Sequence, residues 1–403
     1  MPYHARVGQG TNAVGRRNDL DWLRVLATLA VLFFHCGRFL DDEGWHVKNR
    51  ETSVGISVLV QFIVIWLMPV FFVVSGQSVH YLLRGATNAR FLVTRVTRLL
   101  VPFVFGVLVL IPPQVWAERA SHGQWPGSFL AFLPRYFDGW YGFGGNFAWM
   151  GLHLWYLEAL FLFSLLCLPL YVWFRNGPGG QRALHGLGDF LARPGAVYLL
   201  ALPAYVLVNV LDPDSWGTSV LGGWSIFIYL CFFVSGFLIY SNGRLQASIK
   251  RWRWVSLAVG LLMQPSVDIL WDALGDPPFA TPGFAIATAP YCLGAWCMLL
   301  AILGFGMQHL TRSTPFLKYA NEAVLPFYIL HQTVILCLGY LAVQRAIPDL
   351  PRFLVILLGS LLIVMGLYEF LIRRNDLLRV LFGMKPSQRR STEPRPVLAE
   401  QSA

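Results

Sequence analysis

Apolar residues run through this chain in long blocks that carry no polar face. Ten such blocks, at about 20–40, 55–83, 97–117, 151–174, 194–211, 220–240, 254–271, 284–308, 321–343 and 352–373, alternate with shorter polar stretches. Each is close to the roughly 20 residues a helix needs to cross a bilayer. The pattern predicts an all-α fold: a polytopic membrane helix bundle of about ten transmembrane helices. The second block is long enough to tilt, or to break near Pro69. The first is too long for an excised signal and has no small-residue cleavage site, so it reads as a retained span. One short echo stands out. Phe71-Phe72-Val73-Val74-Ser75-Gly76 and Phe232-Phe233-Val234-Ser235-Gly236 each close a span ahead of a basic loop. Small residues permitting close helix contact explain the echo better than a duplicated repeat does.

Composition excludes the other classes. Of 403 residues, 56% are hydrophobic and only 13% charged, about half the charged share of a soluble domain. The mean hydropathy is +0.55. All six cysteines lie within apolar blocks and none has metal-ligand spacing, so they read as small core residues and no metal site is expected. The net charge of +10 comes without a nucleic-acid motif, so no nucleic-acid partner is expected and the lipid bilayer is. With the N-terminus placed inside, 23 Lys and Arg fall on the cytoplasmic side and 7 on the outer side, with Arg24 inside the first span. That bias predicts both termini cytoplasmic and a multi-pass protein of the cell inner membrane. Residues 1–18 then form a cytoplasmic segment, 19–384 the membrane domain, and 385–403 a polar tail expected to be disordered. Outer loops fall near 41–54 and 118–150. The second is rich in Gly, Trp and Tyr, which suits either an interfacial belt or sugar stacking.

Ionisable groups inside spans are expensive and point to function. His35 lies about 14 residues into the first span, roughly 21 Å along it at 1.5 Å per residue, in the outer third. Glu158 is about 7 residues into the inward-running fourth span, roughly 10 Å deep, so the two can share a depth. A carboxylate beside a histidine would orient the ring as a general base needs. A histidine here can equally bond a backbone carbonyl. His331 is about mid-span, where it can line a cavity or cross-link helices, and His153 falls at the outer end of its span, where it reads as interfacial. Arg95 and Arg98 are three apart on a helix entering from the cytoplasm. They fit bidentate phosphate binding, and they fit simple topological anchoring.

In sequence order, several motifs together resemble acyltransferase family 3, a family of membrane O-acyltransferases, over about Asn18 to Pro386. They are Asp19-Leu20-Asp21-Trp22-Leu23-Arg24 leading to Phe34-His35, then Met68-Pro69-Val70-Phe71-Phe72-Val73-Val74-Ser75-Gly76, Arg95-x-x-Arg98-Leu99, His153-Leu154-Trp155-Tyr156-Leu157 and Phe327-Tyr328-Ile329-Leu330-His331. Trp45-His46-Val47, Trp125-Pro126-Gly127, and Tyr368-Glu369 leading to Leu381-Phe382-Gly383-Met384-Lys385-Pro386 are similar to the branch that succinylates osmoregulated periplasmic glucans.

The resemblance implies an O-acyltransferase with no bound cofactor. Acyl-CoA, as succinyl-CoA or acetyl-CoA, is the co-substrate on the cytoplasmic side. A hydroxyl of a periplasmic glucan or surface polysaccharide is the acceptor. The family's membrane histidine corresponds to His35, with His331 a second catalytic candidate. Its paired arginines correspond to Arg95 and Arg98 on the donor side, where Arg24 is also expected. Trp45 and His46 are expected on the acceptor side. Glu158 departs from the family pattern, and its candidacy rests on depth alone. A transporter or flippase for a lipid-linked sugar is the rival reading of ten spans with intramembrane histidines. The lack of paired inverted halves counts against it.

Overall fold

The computed structural model describes residues 17–85, 87–216 and 222–387. Most of the two terminal segments expected to be cytoplasmic lies outside them. Among the described residues the chain is helical, and its one β-bridge joins Trp140 and Phe147. The principal helices are α1 (Asn18–Gly37), α2 (Val54–Gly85), α3 (Asn88–Ser121), α4 (Trp155–Leu166), α5 (Leu168–Asn176), α6 (Pro178–Leu191), α7 (Leu202–Val210), α8 (Ile226–Ser241), α9 (Gly243–Leu274), α10 (Pro282–His309), α11 (Pro315–Val343) and α12 (Asp349–Ile372). Seven are long and apolar enough to cross a membrane: α1, α2, α3 and α9 to α12. The count is nine if each of two bent pairs is one span.

The differences from the sequence pattern have local causes. The expected fourth span, 151–174, bends by 46° between α4 and α5, where Pro169 cannot donate a backbone bond. The expected fifth span follows a 116° bend, and α6 ahead of it is a separate helix. The expected sixth span is α8, a shorter apolar helix. In α3, π turns over Val96–Leu100 and Gly106–Leu110 each lie beside prolines, Pro102 and Pro112-Pro113. Proline lacks the N–H that would close the regular i→i−4 bond, and a π turn takes up the resulting shift in register.

Burial sorts the spans. In α10, 72% of the most apolar window is buried, against 11% in α9, so α10 is central and α9 lies on the rim against it. Helix α1 packs against both α2 and α11, and α2 runs along α8. The α2–α8 contact explains the sequence echo. A Cβ on Gly76 would sit 1.8 Å from the Phe233 carbonyl oxygen, and one on Gly236 would sit 2.0 Å from that of Val73. Backbone meets backbone at both points, so no side chain can move aside. Gly236→Val should therefore force the helices apart at a cost of about 1–3 kcal/mol or more. The expected readout is a lower thermal midpoint in detergent, and an unchanged midpoint would contradict the contact.

Candidate functional site

A cavity of about 780 Å³ opens between α1, α2, α3, α4 and α11. Arg24, Arg95 and Arg98 all line it, which marks one end of the bundle as the arginine end. Arg24 is held by Asp21 at 2.9 Å and by the Ser78 hydroxyl at 2.6 Å. Arg98 donates through Nε to the Gly383 carbonyl at 3.2 Å. Arg95 is 9% exposed, and its guanidinium carbon lies 4.8 Å from the centre of the Phe91 ring. Its Nε and Nη2 are buried and have no hydrogen-bond partner among the described residues, and the same holds for both amide atoms of Gln77, which is 1% exposed and lines the same cavity. Neither Arg95 nor Arg98 has a carboxylate partner among the described residues. Buried donors left open are costly unless something fills them. A simple topological anchor would keep its charged head in water, whereas Arg95 is buried.

Two tyrosines lie at the head of the cavity. The Tyr156 hydroxyl meets Ser75 Oγ at 2.7 Å and donates to the Phe71 carbonyl at 3.2 Å. The Tyr328 ring lies 5.6 Å from that of Tyr156, and its hydroxyl donates to the His153 carbonyl. Beyond them three histidines cluster. His331 lies 5.2 Å from His35 and 5.1 Å from His153 between ring centres. His331 Nδ1 donates to the Tyr328 carbonyl at 2.5 Å, which leaves the lone pair on Nε2. That Nε2 is buried without a partner among the described residues. His153 donates from Nε2 to the Ile329 carbonyl at 3.2 Å, and its Nδ1 faces the Gln114 amide at 3.4 Å. Gln114 is fixed in turn by Gln332 and Thr333. The His35 ring is half-buried, and its Nδ1 is sealed off with no partner among the described residues.

The opposite end of the bundle, the loop end, is tied to this cluster by stacked rings. Trp45 stacks on His35 at 5.8 Å and 18°, and it lies 5.7 Å from His46. His46 Nδ1 hydrogen-bonds Glu118, which also accepts from the Tyr141 hydroxyl at 2.8 Å. Burial and the nearby Glu118 carboxylate push the Tyr141 hydroxyl well above its ordinary titration range, so it serves as a donor. Tyr141 is presented by a tight turn over 138–147. Gly139, Gly142 and Gly144 take φ of +66°, +89° and +86° there, which side-chain-bearing residues rarely adopt. Arg119 clamps that turn through Asn146 at 3.0 Å and the Gly145 carbonyl at 2.9 Å.

The structure thus joins His35 to His331 and gathers Arg24, Arg95 and Arg98. Trp45 and His46 stand between His35 and the loop end. It does not pair Glu158 with His35. The buried face of α4 carries Tyr156, Leu157, Leu160 and Phe163, whereas Glu158 projects about 200° around the helix from Tyr156 and makes no ion pair or hydrogen bond among the described residues. His153 is not interfacial but part of the histidine cluster, because a left-handed Gly151 (φ +73°) and the short 3₁₀ turn after it fold the segment inward. No spacing in the sequence marks Gln77 or Glu118, whereas Tyr141 lies in the aromatic outer loop that suits an interfacial belt or sugar stacking. Among the described residues no group of three or more His, Cys, Asp or Glu could hold a metal ion.

Residues 17–369 match the family model described as an acyltransferase domain. Curated relatives named Glucans biosynthesis protein C are similar along nearly their whole length. The one from Escherichia coli O157:H7 (strain EC4115 / EHEC) is 25% identical over 392 residues, covering 94% of this chain and 98% of the relative. The one from Escherichia coli (strain K12) is 24% identical over the same span. No solved structure matches.

Proposed function

The chain belongs to acyltransferase family 3, and from that premise we propose that this membrane acyltransferase moves a succinyl or acetyl group from cytoplasmic acyl-CoA to a hydroxyl of a periplasmic glucan or related exported glycan. The observation that carries the reading is Arg95, whose Nε and Nη2 are buried without a partner among the described residues, in a cavity that ends near the histidines. CoA carries a diphosphate and a further phosphate, and guanidinium groups suit them through paired N–H donors. In this reading the arginine end faces the cytoplasm, both termini lie there, and the membrane is the inner one. The thioester arm runs up the cavity toward the tyrosine pair. The acceptor comes from the loop end. His35 takes the hydroxyl proton as the oxygen attacks the thioester carbon. The C–O bond forms, the C–S bond breaks, and CoA leaves as the thiol with a proton. The name shared by the curated relatives supports a glucan acceptor.

Sealed membrane vesicles test donor and sidedness together. Inside-out vesicles should release thiol from added acyl-CoA when they enclose the periplasmic glucan fraction, and right-side-out vesicles should not. Release from right-side-out vesicles alone would reverse the orientation. No release from either, nor from detergent-solubilised protein, would remove the acyl-CoA donor and reopen the transporter reading.

A further inference from the structure

The loop end holds a carboxylate–imidazole pair that the proton transfer above does not use. Glu118 is 6% exposed. It receives the His46 ring N–H, the Tyr141 hydroxyl at 2.8 Å, and Arg119 Nη1 at 3.4 Å. A carboxylate can only accept, so the shared His46 nitrogen carries its proton. In the neutral ring the lone pair then falls on His46 Nε2, which has no partner among the described residues. A carboxylate behind a histidine sets both its tautomer and its ring direction. The ring so fixed adjoins Trp45, which also stacks on His35 and packs against Phe39. Trp140 is exposed on the same glycine turn as Tyr141. Aromatic rings beside an oriented hydrogen-bond acceptor suit a carbohydrate, which offers C–H faces to rings and hydroxyl edges to polar atoms.

We propose that Glu118 is a positioning residue that fixes His46 to accept a hydrogen bond from a second hydroxyl of a carbohydrate acceptor, registering the sugar over Trp45 so that its reacting hydroxyl meets His35. This rests on the acyltransferase reading above. It adds a recognition contact and leaves the reacting proton to His35. Arg119 and Tyr141 keep the carboxylate in place, and the turn that carries Tyr141 ties acceptor recognition to the large loop.

The test uses the full-length protein in detergent, acyl-CoA as donor, and the unsubstituted periplasmic glucan fraction from a strain lacking this chain as acceptor. Glu118→Ala and His46→Ala should each raise the acceptor KM by about tenfold or more, the scale of one lost hydrogen bond to an oriented partner. The donor KM should stay at the parental value. Glu118→Gln keeps an oxygen facing the His46 N–H and should recover most of the loss. The double variant Glu118→Ala/His46→Ala should be no worse than His46→Ala alone, because Glu118 acts through His46. Additive losses, an unchanged acceptor KM, or donor and acceptor KM rising together would each overturn the assignment. A parent protein that releases no thiol with this glucan overturns the function reading itself, and the recognition role falls with it. Thermal midpoints of all variants are measured alongside. If Glu118→Ala does not fold, Glu118→Gln and His46→Ala decide, since a parental acceptor KM in both overturns the role.

Discussion

His35→Ala is expected to lower acyl transfer by about 10²–10⁴-fold, the usual cost of losing one general base, while the protein stays folded and inserted. The ring sits where the two ends of the bundle meet. Its neighbours are Trp45 on the loop side and His331 toward the tyrosine pair, and no hydrogen bond to the protein commits its Nδ1. A structural histidine in this position would be satisfied by a carbonyl, as His331 Nδ1 is by Tyr328. The measurement is initial thiol release at saturating donor and acceptor, with inserted protein quantified. His331→Ala provides the contrast, because its free Nε2 makes it the other ring able to take a proton. Near-parental turnover in His35→Ala with collapse in His331→Ala would transfer the role to His331. Glu158→Gln is the control. It lies off the buried face of α4 and should leave rate and pH profile unchanged.

The features legible in the sequence were those that violate the expected chemistry of a bilayer. A lone histidine within an apolar block and two arginines entering one are visible without coordinates, and the structure pairs the rings of His35 and His331 and puts Arg95 and Arg98 on the wall of one cavity. What was not legible depends on rotation and on backbone breaks. Depth can be counted from a span end, but the side of a helix that faces the core cannot be fixed for an all-apolar segment. Glu158 therefore reads the same as a residue that faces His35. A straight helix from 151 would put His153 at the interface. The left-handed Gly151 instead turns the chain inward. The span count suffered likewise at Pro169 and at the sharp bend after α6. Gln77 and Glu118 are polar residues in ordinary settings until the fold leaves one without a partner and gives the other three donors.

Arg95→Lys should raise the apparent KM for acyl-CoA, and Arg95→Ala should raise it further, while the acceptor KM stays near its parental value. The contrast between lysine and arginine decides between the two roles the sequence allowed. Topology responds to charge and not to the shape of the charged group, so lysine would serve an anchoring role equally well. Phosphate binding uses the planar fork, which an ammonium group cannot reproduce. Arg95 is the sharper test of the pair because its Nε and Nη2 are buried and unpartnered, whereas Arg98 has already committed its Nε to Gly383. Truncation at Arg95 removes at least one charge-assisted bond to phosphate, ~1.5–3 kcal/mol, which corresponds to a rise in donor KM of about ten- to 150-fold. Arg98→Lys should have a smaller effect, since one of its donors serves the Gly383 carbonyl and not the ligand. Gln77→Leu is the neutral counterpart: it removes an open amide from the cavity wall without changing charge, and should weaken the donor by less than Arg95→Ala. Donor titrations in membranes of verified topology read these four and Arg98→Ala. An unchanged donor KM in the lysine and alanine variants of both arginines would return the pair to anchoring and leave the cavity without an assigned occupant.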